Sequence, residues 1–149
     1  MQATKYPLLA PMTLGGRMQN NTKQHTEKHT RQRSFSPAKN QSLKKNKQRA
    51  YSFFEEALTH NQDHQKYFKS LNKAKKYISD ALAINPIDPD SFNLLSRIDL
   101  ELGNPKSALE AATAALDLQP DNGGYWYSFG HAQLANHQVL KAKSAFQKS

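Results

Sequence analysis

The sequence predicts an all-α chain: about three antiparallel helix pairs stacked in series as an α-solenoid, preceded by a basic tail without a core. Three observations carry this expectation. The first is self-similarity at a fixed offset of 34 residues. Asn85-Pro86 falls on Gln119-Pro120, and Ala74, Ala108 and Ala142 coincide. Ala81 meets Ala115, Leu82 meets Leu116, Ile84 meets Leu118, Phe92 meets Trp126, Leu95 meets Phe129 and Ser96 meets Gly130. Small residues meet small ones, large meet large, and the prolines agree. The second is apolar spacing of helical period within each unit. The third is a sharp division of composition near Ala50.

Of the 149 residues, 37% are apolar and the formal net charge is +9, but neither property is spread evenly. Residues 1–50 hold 13 apolar side chains and 11 Lys/Arg against one acid, Glu27. The remainder carries 10 Lys/Arg and 11 Asp/Glu, so the basicity belongs to the tail and the core to the rest. Residues 1–49 are therefore expected to form a disordered basic tail, with Pro7, Pro11, Pro37 and Gly15-Gly16 opposing regular structure.

Three functional readings of the tail compete with that of a solubilising, solvated segment. Residues 1–36 resemble an organelle transit peptide in being basic, hydroxyl-rich and nearly free of acids, although the prolines spoil an amphipathic helix. Lys44, Lys45, Lys47 and Arg49 form a cluster suited to nucleic acid or an anionic surface. Arg31-x-Arg33-x-x-Ser36-Pro37 suits basophilic or proline-directed kinases. The preferred location is cytoplasmic. No apolar run reaches the ~20 residues of a membrane span.

The repeat domain is expected over residues 50–149, in units of about 50–86, 88–120 and 121–149, the last incomplete. In the first unit Tyr51, Phe54, Ala57 and Leu58 predict one helix, and Leu71, Ala74, Ile78, Ala81 and Leu82 its partner. The stretch from His60 to Ser70 is about seven residues longer than the later turn, predicting an extended loop or a lengthened first helix. In the middle unit Asp88-Pro89 supplies a cap and a proline for the first turn. Phe92, Leu95, Ile98 and Leu102 follow, and Gly103-Asn104 ends the helix. Asn104-Pro105 opens the next, carrying Ala108, Leu109, Ala112, Ala115 and Leu116, and Pro120 closes it. The last unit repeats the plan with Asp121 or Asn122 as cap and Trp126, Phe129, Gly130 and Leu134 as stripe. Asn136 is its terminator, and a second helix presents Leu140, Ala142, Ala145 and Phe146. Alanines facing Ser96 or Gly130 allow the close backbone approach that such hairpins need.

These features resemble the tetratricopeptide repeat, whose pattern runs W-x2-L-G-x2-Y, then Ala, an aromatic, a further Ala and Pro. Trp126, Phe129, Gly130, Ala142 and Phe146 stand at that family's spacings, and the middle unit keeps Phe92, Leu95, Gly103, Ala108, Ala115 and Pro120. It departs at Asp99, where the family prefers an aromatic, and at Ala112, where it prefers bulk. The resemblance implies helix pairs stacked into a right-handed superhelix that grips a peptide or protein segment. It also places the first helix of each pair on the concave wall. Asp90, Asn93 and Arg97 would then face a ligand in the middle unit, and Tyr127 and His131 in the last. Arg97 suits a carboxylate, Asn93 a peptide backbone, and Tyr127 an apolar contact with a polar tip. The Lys-x-x-x-Asn pair with which some relatives read a terminal carboxylate is absent; the corresponding pairs are Asn93/Arg97 and Tyr127/His131.

No catalytic constellation is expected. With no cysteine, thiol catalysis and Cys-ligated zinc are excluded. His25/His29 and His60/His64 have helical i, i+4 spacing but no further ligand nearby, so neither a metal nor another cofactor is expected. Glu55-Glu56 reads as a solvated helix edge. The sequence thus points to a non-catalytic adaptor or scaffold. The alternatives are the front end of a larger enzyme, such as a repeat-fused sulfotransferase or glycosyltransferase, and a nucleic-acid-associated factor acting through the tail. The last unit stops before any closing proline, which predicts an uncapped face open to further repeats or to a second chain.

Overall fold

The computed structural model describes residues 34–149, and six helices follow one another along them: α1 Pro37–Thr59, α2 His64–Ile84, α3 Pro89–Glu101, α4 Pro105–Leu118, α5 Gly123–Ala135 and α6 Val139–Phe146. There is no strand among the described residues. Each helix packs on the next in the chain, and α1 with α3 and α3 with α5 also meet. The second helices α2, α4 and α6 do not meet one another. A row of helix pairs whose first members touch while the second members stand apart curves toward the first members. The inner wall is therefore α1, α3 and α5. No described helix is long and apolar enough to cross a membrane.

The small residues sit where the 34-residue offset places them. Ala74, Ala108 and Ala142 are completely buried, as are Ala81 and Ala115. The core is unequal along the array. Phe54, Leu71, Ile78, Leu94 and Ile98 join α1, α2 and α3 with Ala50, Ala57, Ala74 and Ala81. Farther along, Ala108, Ala112 and Ala132 form a thin cluster flanked by Leu100, Leu109 and Phe129, and Ala115, Leu116 and Tyr125 form another. Large side chains fill the first interface and alanines most of the later ones.

Both loop-terminating turns have one geometry. Gly103 adopts φ 74°, and His137, 34 residues later, adopts φ 61°. The Gly103 and Asn104 amides donate to the Leu100 and Asp99 carbonyls at 3.0 and 2.8 Å, and those of His137 and Gln138 to Leu134 and Gln133, both at 2.9 Å. Each closes its helix with the paired bonds that need a left-handed residue after the cap.

Four expectations require correction. The boundary at residue 49 falls inside α1: the Ser36 side chain accepts the Lys39 amide at 3.4 Å, Pro37 occupies the first turn, and no Gly or Pro follows before Thr59. Leu43 packs on the first core and Lys47 pairs with Asp88 at 2.7 Å, so the start of α1 is anchored. The part of the expected tail at residues 1–33, including the transit-peptide features, Arg31, Arg33 and the His25/His29 pair, lies outside the described residues. The stretch from His60 is no extended loop either. It turns over His60–Asp63, and the surplus residues become about two extra turns at the start of α2. Asp63 caps them by accepting the Lys66 amide at 3.1 Å. In α3, Ser91, Leu94 and Ile98 form the deepest row, while Phe92 and Leu95 are half-buried. Finally, Leu134 and Leu140 stand 41% and 83% exposed: Ala142, Ala145 and Phe146 are the apolar residues of α6 that reach the close interface, and Leu140 stands away from it.

Asp99 occupies the position where an aromatic was expected and is completely buried. Its carboxylate receives Lys75 Nζ of α2 and Ser107 Oγ of α4, each at 2.6 Å, so three helices meet at one ion pair. Gln133, the corresponding residue of α5, is also buried, and its Oε1 has no hydrogen-bond partner among the described residues.

Candidate functional site

On the inner wall, helical spacing aligns side chains i and i+4 along each first helix. Phe54 and Leu58 come from α1, Asn93, Arg97, Leu100 and Glu101 from α3, and Gly124, Tyr127, Ser128 and His131 from α5. Together they line one groove of ≈ 510 Å³. The four residues singled out from the sequence, Asn93, Arg97, Tyr127 and His131, are all in it. Asp90 is not among its lining residues. Its Oδ1 accepts the Tyr125 hydroxyl at 2.6 Å and its Oδ2 lies 3.8 Å from Lys47 Nζ, which makes it a link between α1, α3 and α5.

Arg97 lies along the Phe54 ring, with its guanidinium carbon 4.9 Å from the ring centroid. It has no acidic partner within ion-pair distance among the described residues. A cation over an aromatic face keeps its hydrogen-bonding edge open to a ligand. Asn93, one turn before it, has a buried side-chain oxygen without a hydrogen-bond partner among the described residues. Glu101, the acid of the groove, accepts the hydroxyl of Tyr67 from α2. Desolvation, followed by the Glu101 carboxylate, pushes the Tyr67 phenol up to about 12.

At the other side, Tyr127 is 55% exposed, and its ring centroid lies 4.5 Å from that of His131. Phe146 of α6 closes this cluster, 5.2 Å from His131 and 5.9 Å from Tyr127. The Phe146 ring rests on Gly130, where a Cβ would fall 2.5 Å from its Cε1. Glycine at 130 therefore sets the position of the aromatic group behind Tyr127 and His131.

Sequence reasoning placed Phe54 and Leu58 on the apolar stripe of the first helix, where Phe54 is indeed core, but did not see that both also line the groove, and it missed Leu100 and Glu101. Glu101 was within reach, being one turn beyond Arg97.

The basic cluster at the former tail boundary is partly consumed by the fold. Lys47 is paired with Asp88, and the Arg49 guanidinium lies over Tyr77, 5.3 Å from the ring centroid. Lys44 and Lys45 remain exposed. His60 lies at the end of α1, where its Nδ1 is 2.9 Å from the Glu56 carbonyl, and His64 begins α2. No group of three or more metal-ligating side chains occurs among the described residues.

The family model described as Tetratricopeptide repeat matches residues 89–122, which span α3, α4 and the turn into α5. No curated protein matches the chain.

Proposed function

Taking as premise that residues 89–122 are a tetratricopeptide repeat, we propose that this chain is a non-catalytic interaction module that holds a polypeptide segment in the groove of α1, α3 and α5. The observation that carries the proposal is the convergence of Asn93, Arg97 and Tyr127 on one inner wall with Phe54, Leu58 and Leu100. This surface combines apolar area with a few directional polar groups, as peptide sites do. The groove also lies on the side where consecutive first helices meet, each held by its own hairpin partner, so ligand contacts are positioned by packed helices before binding.

The test is selection of displayed peptides on the full chain, followed by fluorescence anisotropy of each recovered peptide. Arg97→Ala and Tyr127→Ala should each weaken binding by about tenfold. Glu110→Ala, on the outer helix α4, should leave it unchanged. Peptides that bind equally well to all of these proteins would refute the groove as the site.

A further inference from the structure

We infer that the groove selects a segment carrying an acidic side chain between two apolar ones, with Arg97 receiving the carboxylate and Tyr67 keeping Glu101 from opposing it. The inference deepens the groove reading above and rests on it.

The argument begins with charge. Arg97 and Glu101 both line the groove on α3, one turn apart, and could have cancelled each other. They are not an ion pair. Glu101 accepts the Tyr67 hydroxyl of α2, while Arg97 lies on Phe54 of α1. The carboxylate therefore has its donor supplied by the protein, and the guanidinium has no acidic acceptor supplied among the described residues. Its five donors favour a carboxylate in paired geometry.

Position then decides which kind of carboxylate. Arg97 belongs to α3, the middle helix of the inner wall. Apolar surface lies on both sides of it: Leu58, 42% exposed, on α1 and Tyr127, 55% exposed, on α5. A ligand whose acid reaches Arg97 continues past it in both directions over apolar contacts. An internal Asp or Glu side chain meets that arrangement. A chain terminus would leave one side of the groove empty.

Tyr67 is a specificity residue in this scheme, acting through Glu101 rather than touching the ligand. Without its hydroxyl, the Glu101 carboxylate would lose the donor that holds it and could swing one turn along α3 to compete with the ligand's acid for Arg97.

The experiment uses the full chain and a displayed library of octapeptides. Recovered sequences are resynthesised with both ends blocked, so that side chains supply the only carboxylates. Wild-type protein should recover peptides with Asp or Glu between apolar residues, and replacing that acid by its amide should weaken binding by about tenfold. Arg97→Gln should abolish the difference between acid and amide, and Arg97→Glu should shift recovery to lysine. Tyr67→Phe should weaken the acid peptide severalfold and leave the amide peptide unchanged, a split that mere loss of packing would not produce. Circular dichroism melting of each variant separates unfolding from altered choice. Peptides that lose affinity with Tyr127→Ala yet show no preference for an acid, or that need a free C-terminus, would overturn this inference and leave the groove reading standing. Recovery of no peptide sensitive to Tyr127→Ala would end both.

Discussion

Lys75 Nζ lies 2.6 Å from Asp99 Oδ1, tying α2 to a carboxylate that has no solvent exposure at all. The Lys75 side chain is 37% exposed, so water shares in solvating the ammonium while the acid depends on protein donors, Lys75 and Ser107. Removing the cation should therefore cost more than removing the pair. Lys75→Met is expected to destabilise by about 2–3 kcal/mol, and Lys75→Met/Asp99→Leu by less than the sum of the single changes. Urea unfolding of the four proteins measures the coupling. A coupling energy below about 0.5 kcal/mol would show that the pair behaves as an exposed one.

The same position shows how far the sequence was readable. Small residues at 74, 81, 108, 115 and 142 announce close helix contacts because nothing larger fits there, and the structure buries all five completely. The inner-wall positions of Asn93, Arg97, Tyr127 and His131 follow from the family resemblance, which puts first helices on the concave wall, and all four line the groove. Asp99 was visible as a departure from the family pattern, but its partners could not be named. Lys75 is 24 residues away on another helix, and lysines on helices usually face water. Lys47 misled for the same reason: a run of cations reads as a solvated tail until Asp88 receives one of them. Leu140 misled in the opposite direction, since an apolar residue beside a helical stripe was assigned inward and stands in solvent.

Gly103 and His137 offer a controlled test of backbone cost. Both adopt left-handed φ at the end of a first helix, and both amides bond back to their helix in the same way. A Cβ on Gly103 would meet nothing within 4 Å, so Gly103→Ala isolates the conformational penalty, expected at about 1 kcal/mol. His137 already carries that penalty, and His137→Gly should raise stability by a similar amount. Thermal or urea unfolding checks both signs. Equal and opposite shifts are expected, and a loss of stability in His137→Gly would mean that the imidazole contributes more than the strain costs.

Gly130 bears on the groove through Phe146. A methyl group there would overlap three atoms of the Phe146 ring, at 2.5, 2.8 and 2.9 Å. That ring is confined by Tyr127 and His131, so it must leave the cluster to make room. Gly130→Ala gains helix propensity of about 1 kcal/mol, but overpacking costs about 1–3 kcal/mol, and a net loss is expected. In a Phe146→Ala background the clash disappears and the propensity gain should emerge as net stabilisation. Unfolding midpoints of the four-member cycle decide it. Destabilisation by Gly130→Ala that persists without the Phe146 ring would place the conflict elsewhere.

Two phenols that donate to carboxylates, Tyr125 buried and Tyr67 half-buried, are expected to shape the alkaline limit of stability. Tyr125 donates to Asp90 Oδ1 at 2.6 Å, joining α5 to the start of α3, and Tyr67 donates to Glu101, joining α2 to its end. In both, desolvation comes first and the accepting carboxylate second in raising the phenol above its ordinary value of 10.0, to about 12 for Tyr67 and further for Tyr125. The unfolded chain loses these protons near pH 10, while the folded chain retains them. Between those limits the folded state binds more protons than the unfolded state, so stability falls as pH rises. Their contribution is complete below about pH 10 and is lost progressively up to about pH 12 for Tyr67, with a slope of at most about 1.4 kcal/mol per pH unit for each phenol. Lysines also titrate in this range, so the informative quantity is the difference between the wild type and Tyr67→Phe/Tyr125→Phe. Urea unfolding at a series of alkaline pH values should give a steeper decline for the wild type, and its phenolate absorbance should complete its rise only as the helices melt. Parallel declines in the two proteins would show that these hydroxyls are not what binds α2 and α5 to α3.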